Sequence, residues 1–124
     1  MATSSSKDIQ RSHTKAVIDN FTNIYFIGIG GIGMSNLARF FLSKNKSVAG
    51  YDRVSTQLTK LLEEEGAAIH YKDDVQSVPK QFMDAQTTLV VYTPAVPSTH
   101  TALVYFQENN FAIMKRAQVL GEIT

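Results

Sequence analysis

Four glycines carry the chemistry that this sequence can do. Gly28, Gly30, Gly31 and Gly33 stand between an apolar run, Ile24-Tyr-Phe-Ile27, and residues with helical periodicity. A strand before and a helix after are what give a G-x-G-x-x-G turn its meaning as a phosphate loop of the dinucleotide type. Each glycine has an expected task. Gly28 lets the chain leave the strand in a tight turn, Gly30 lets backbone approach a phosphate, and Gly33 lets the helix pack against the strand. The helix opens with free N–H groups and the positive end of its dipole, so a diphosphate is held there by main chain. No basic side chain lies in the turn. It is not a Walker loop either: Met34 and Ser35 occupy the places of the Lys-Ser/Thr pair, and Lys44 lies roughly 16 Å down the helix at about 1.5 Å per residue. The expected chemistry is binding of a diphosphate without its cleavage.

Asp52, about 20 residues past the last of these glycines, stands where such folds put an acid against a ribose hydroxyl. The plainer reading is a solvated strand end, and Arg53 beside it suits either a phosphorylated ribose or a surface acid. His13, His70 and His100 are too scattered for a metal or a catalytic triad and are expected at the surface or in loops. Asp73-Asp74 and Glu63-Glu64-Glu65 read as solvated loop and helix faces. Tyr25, Phe26, Phe40 and Phe41 read as core rather than a stacking platform. No catalytic residue and no metal site is expected in this chain.

A length of 124 residues suffices for one domain with its own core and not for two. The net charge of +1, with acids and bases interspersed, offers no field for nucleic acid or for a membrane surface. The absence of cysteine excludes disulfides, thiolate metal sites and cysteine nucleophiles. The apolar runs are too short to span a membrane, and Met-Ala-Thr-Ser-Ser-Ser-Lys has no signal-peptide core. The chain reads as cytoplasmic.

The elements that must position the turn follow from pattern. Residues 1–20 are polar and read as a flexible N-terminal arm with at most one short helix, ahead of a domain over 21–124. Ile24–Ile27 is a continuous apolar strand of the kind buried on both faces. Met34, Leu37, Ala38, Phe41 and Leu42 share one helical face, and Asn45 ends that helix. Ser47–Tyr51 is the second strand. Ser55 or Thr56 caps a second helix with Leu58, Leu61 and Leu62 inward, closed by Gly66. Ala67–Tyr71 is the third strand, and Val75–Met83 stays ambiguous because Pro79 interrupts any helix there. Thr87–Tyr92, the fourth strand, runs into the stiff loop Thr93-Pro-Ala-Val-Pro97. A helix over 99–109 buries Ala102, Leu103 and Phe106, Phe111–Met114 is a fifth strand, and Arg116 begins a last helix. Alternation at this spacing predicts an α/β fold: a Rossmann-like, open, mostly parallel five-stranded sheet, order 3-2-1-4-5, with helices on both faces. The ligand crevice then lies between the first and fourth strands, and the proline loop borders it.

Phe26-Ile-Gly-Ile-Gly-Gly-Ile-Gly-Met-Ser35, Gly50-Tyr-Asp52, Tyr92-Thr-Pro-Ala-Val-Pro97 and Lys115-Arg-Ala-Gln-Val-Leu120 together resemble the amino-terminal domain of the Mur ligases, specifically those that join L-alanine to UDP-N-acetylmuramate in peptidoglycan biosynthesis. The resemblance covers residues 23–124. It implies that this domain holds the UDP part of UDP-N-acetylmuramate, while ATP, magnesium and L-alanine bind on central and C-terminal domains absent from this chain. There the muramate carboxylate becomes an acyl phosphate that the amino group of L-alanine attacks. By resemblance, Gly30, Gly31, Ile32, Gly33 and Met34 contact the diphosphate, Gly28 belongs to the same substrate-binding turn, Asp52 lies near the uridine, and Thr93, Pro94, Ala95 and Val96 line the crevice. Many members carry Gly-His where this chain has Lys72-Asp73. The alternatives are an NAD(P)-binding Rossmann domain, from a dehydrogenase or a regulatory sensor, and a flavodoxin-like interaction module without a ligand.

Overall fold

The computed structural model describes residues 18–123. Its sheet runs β3-β2-β1-β4-β5 with every pair parallel. The strands are β1 Asn23–Ile27, β2 Ser47–Tyr51, β3 Ala68–His70, β4 Thr88–Tyr92 and β5 Ala112–Lys115. The helices are α1 Ile32–Ser43, α2 Gln57–Glu64, α3 Thr101–Glu108 and α4 Arg116–Ile123. The expected order and all five strands are present, and Val75–Met83 resolves into two 3-10 turns, Val75–Ser77 and Lys80–Met83, on either side of Pro79. His13 and most of the proposed arm lie outside the described residues. Ile18 is buried in the core together with Phe21.

β1 is central and buried along its whole length, which is why its sequence is apolar without alternation. Side chains still alternate between faces. Ile24 and Phe26 join Leu37, Ala38 and Phe41 of α1, Leu62 of α2 and Val119 of α4 on one side. Tyr25 and Ile27 join Val78, Phe82, Ala102, Leu103 and Phe106 on the other, so α3 and the 3-10 turns cover the second face. Connections thus switch sides between β1 and β4, and the carboxyl ends of those strands open a crevice.

In α2 one expectation holds and one fails. Thr56 is the cap, exchanging hydrogen bonds with Thr59 in a capping box. Leu61, expected inward, is 41% exposed, while Thr59 is fully buried. Close packing against the glycine turn selects the small Thr59 for that face, and Leu61 is left on the flank.

Gly50 in β2 and Gly121 in α4 set opposite limits on this packing. A Cβ at Gly50 would lie 2.6 Å from the Phe26 carbonyl oxygen, a backbone atom that cannot swing away, whereas one at Gly121 meets nothing within 4 Å. Urea unfolding should therefore show G50A destabilised by about 1–3 kcal/mol. G121A should be stabilised by about 0.4–1 kcal/mol through a less flexible unfolded chain.

Candidate functional site

The turn after β1 is held from three directions. Gly28 adopts φ +94°, the left-handed region that a side chain disfavours, so the expected tight exit from the strand is present. The N–H groups of Gly28 and Ile29 donate to the Tyr51 carbonyl at 2.8 and 3.0 Å, tying the turn to the end of β2. Gly30 N–H donates to Asp52 Oδ2 at 2.7 Å, and Asp52 Oδ1 accepts from Val54 N–H at 3.1 Å. Asp52 therefore clamps the turn. A Cβ at Gly30 would meet Asp52 Oδ2 at 2.6 Å and Thr59 Cγ2 at 2.9 Å, so the close approach that demands glycine here is to those side chains. Gly33 also differs from expectation: a Cβ there would meet the Arg116 guanidinium, with Nε at 2.6 Å, rather than β1. Gly31 caps α1 in an extended conformation, no side chain bonds to the cap, and no acid lies in the first turn. The N–H groups of Ile32, Gly33 and Met34 precede any possible intrahelical acceptor, so they are available to an anion.

A cleft of about 550 Å³ opens at this helix end. Of the residues singled out by sequence, Gly28, Gly31, Met34, Asp52, Thr93, Ala95 and Val96 line it. Gly30 and Gly33 sit behind that surface, covered as described, and Ile32 is 79% exposed. Pro94 is exposed in the neighbouring turn, where Val96 N–H donates to the Thr93 carbonyl at 3.0 Å. The proline loop lies beside the glycine turn as expected, with Val96 Cγ2 3.6 Å from the Cβ position of Gly28.

Arg53 and Pro97 extend these two stretches, and Tyr51, Asp73 and His100, which sequence spacing alone does not bring together, complete the wall. Asp73 follows β3 and His100 caps α3; both leave carboxyl ends of the sheet, and that shared edge is the signal that finds them. Asp73 Oδ1 accepts from Thr101 N–H at 3.0 Å and Thr101 Oγ1–H at 2.6 Å.

The sequence profile described as Mur ligase family, catalytic domain, matches residues 23–124. The chain belongs to the Mur ligase family. It is 57% identical over 107 residues to a UDP-N-acetylmuramate--L-alanine ligase of Phocaeicola vulgatus, covering 86% of this chain and 23% of that protein. Its identity to the ligase of the same name from Parabacteroides distasonis is 55%, with the same coverage. Among solved structures, the UDP-N-acetylmuramate-alanine ligase of Thermotoga maritima superposes with a TM-score of 0.70 at 28% identity, over 79% of this chain and 21% of that one. The chain thus spans about a quarter of the length of the curated relatives it matches. These likenesses favour the ligase family over the dehydrogenase or sensor alternative. Among the described residues, no helix is long and apolar enough to cross a membrane.

Of the two described histidines of this Mur ligase chain, His100 lies in a loop as expected but is buried, and His70 ends β3. His100 is 4% exposed, and its Nδ1 accepts from Leu103 N–H at 3.4 Å, which leaves the proton of the neutral ring on Nε2. That nitrogen faces Asp73 Oδ1 at 3.4 Å without forming a hydrogen bond. His70 is half-buried: Nδ1–H donates to the Lys72 carbonyl at 3.0 Å, so Nε2 accepts from the Tyr25 hydroxyl at 2.6 Å. Burial pushes the Tyr25 hydroxyl far above its ordinary pKa and keeps it a donor. Burial lowers both histidines, against the opposing pull of the Lys72 carbonyl on His70 and of Asp73 on His100. At Asp73 burial acts upward, but the Thr101 hydrogen bonds and the nearby imidazoles outweigh it and hold the carboxyl below its usual range. With folded-state values below about 6.5, the neutral imidazoles contribute stability fully above that pH and lose it as pH falls through the lowered values. Melting temperature should hold level above about pH 7 and drop toward pH 5. H100N, which keeps a cap acceptor and does not titrate, should flatten part of that drop in a pH series of thermal melts.

Proposed function

We propose that this chain is the N-terminal UDP-N-acetylmuramate-binding domain of a ligase that adds L-alanine to that substrate in peptidoglycan biosynthesis, in the cytoplasm. The observation that carries this reading is the cleft at the switch point of the sheet. One wall is the uncapped first turn of α1 and the other is the proline loop after β4. Ligands of open α/β sheets bind at such points, outside the carboxyl ends of the strands. The likeness to alanine-adding ligases supports a uridine nucleotide there.

On this reading the diphosphate sits on the N–H groups of Ile32, Gly33 and Met34, beside Gly31, whose own N–H donates to the Gly28 carbonyl at 3.3 Å. Gly28 shapes the turn, and Gly30 presents it through Asp52. Asp52 lies toward the uridine, with its oxygens shared between the turn and the ligand. Thr93, Pro94, Ala95 and Val96 form the stiff facing wall. These residues bind and orient; the muramate carboxylate is presented outward to polypeptide beyond the 124 residues. ATP and magnesium belong there, where they supply the phosphoryl group that activates the carboxylate, and so does L-alanine. The turn here has no lysine to grip a γ-phosphate.

Titrating isotope-labelled chain with UDP-N-acetylmuramate should shift the amides of Gly31 to Met34 saturably, whereas NAD should not compete. Selective saturation by NAD would overturn the assignment in favour of a dinucleotide domain. Supplied with ATP, magnesium and L-alanine, the chain alone should release no phosphate.

A further inference from the structure

Arg116 is a charged side chain that the proposed site leaves unused: Arg53 lines the cleft itself, and Arg116 lies just outside that lining, against Gly33 at the start of α1. It is the first residue of α4, immediately after β5. Its guanidinium reaches back over the carboxyl edge of the sheet and rests on Gly33. Nε, Cζ and Nη2 lie 2.6, 2.8 and 2.9 Å from where a Cβ of Gly33 would be. The cation is therefore set at the positive ends of two helices, α4, which it opens, and α1, whose second residue it covers. Neither first turn contains an acid. Among the described residues, the side-chain ion pair is Arg39–Glu65, the close approach of neutral His100 to Asp73 carries no imidazolium charge, and neither includes Arg116. A positive charge at a helix N-terminus has the wrong sign. An anion between the two helix ends reverses that balance, and a planar guanidinium adds parallel hydrogen bonds to phosphate oxygens that a lysine cannot form.

The same cleft bears an independent mark of a polar ligand. His100 lines it at 4% exposure, and its Nε2 has no hydrogen-bond partner among the described residues. A buried N–H left unpaired in a folded protein is uncommon and costly.

We propose that Arg116 is a phosphate-binding residue, whose guanidinium, seated on Gly33, closes on the diphosphate of a nucleotide held at the first turn of α1. This rests on the nucleotide reading above for the position of the diphosphate. It also accounts for Gly33, since any side chain there would occupy the space of the guanidinium. The cation absent from the turn is then supplied by the fold, from the far end of the sequence.

UDP and uridine, titrated separately into the chain and followed by amide shifts, test the assignment. R116Q should weaken UDP by about tenfold to a hundredfold, the loss of a charged hydrogen bond, and leave uridine unchanged. The UDP affinity of the wild type should also fall more steeply with added salt than that of R116Q. R116K, which keeps the charge and the alkyl stem but not the planar fork, should weaken UDP less than R116Q does and leave uridine unchanged. It decides the matter if R116Q does not fold. Unaltered UDP binding, or equal losses for UDP and uridine, would overturn the role of Arg116 alone. A wild-type chain that binds neither UDP nor UDP-N-acetylmuramate would overturn the reading of the cleft as well.

Discussion

The hydrogen bond from Gly30 N–H to Asp52 Oδ2 is the interaction on which the geometry of the cleft depends. It joins the turn that leaves β1 to the residue that ends β2, and with the Tyr51 carbonyl it fixes that turn at three donors. A hydrogen bond to a charged acceptor contributes about 1.5–3 kcal/mol. Its directional effect matters more. With Gly30 committed inward, the remaining donors at the helix start point away from the sheet, and Thr59 can bury beneath the turn. The constraint propagates to α2, because a residue larger than threonine at position 59 would crowd the same spot that excludes a side chain from Gly30.

The legible part of the fold was the part governed by local pattern. The unbroken apolar run of β1 announced a central strand, helical spacing from Met34 to Phe41 announced α1, and regular alternation of strand and helix left the order 3-2-1-4-5 as the economical topology. The turn and its strand-helix setting were readable for the same reason. Contacts between distant segments were not. Nothing in the spacing of Gly33 tells that its missing side chain makes room for Arg116, or that Asp73 and Thr101, 28 residues apart, share hydrogen bonds. His100 looked like a loop histidine because polar residues surround it in sequence. It is buried because the turn before α3 folds it onto Tyr51, with ring centroids 4.6 Å apart, where it serves as the helix cap. Leu61 shows the converse error, since an apolar residue at a plausible helical position is free to stay exposed when a smaller neighbour fits the tighter face.

A glycine turn at a helix start recognises two phosphates and little else, because backbone donors and a dipole treat every diphosphate alike. Selection among nucleotides must come from the walls. At one end of this cleft stand Asp52, Asp73, Tyr51 and His100. Tyr51 stays protonated, its hydroxyl pushed upward first by burial and then by the charges of Asp73 and Asp52. With Arg53 beside them, these residues offer carboxylate acceptors together with O–H, N–H and guanidinium donors, suited to hydroxyl and amide groups. At the other end the start of α1 offers only positive potential. A ligand that fits must place its hydroxyls and ring N–H groups at one extremity and its negative charge at the other, with a rigid span set by the proline loop between. A nucleoside diphosphate has that polarity.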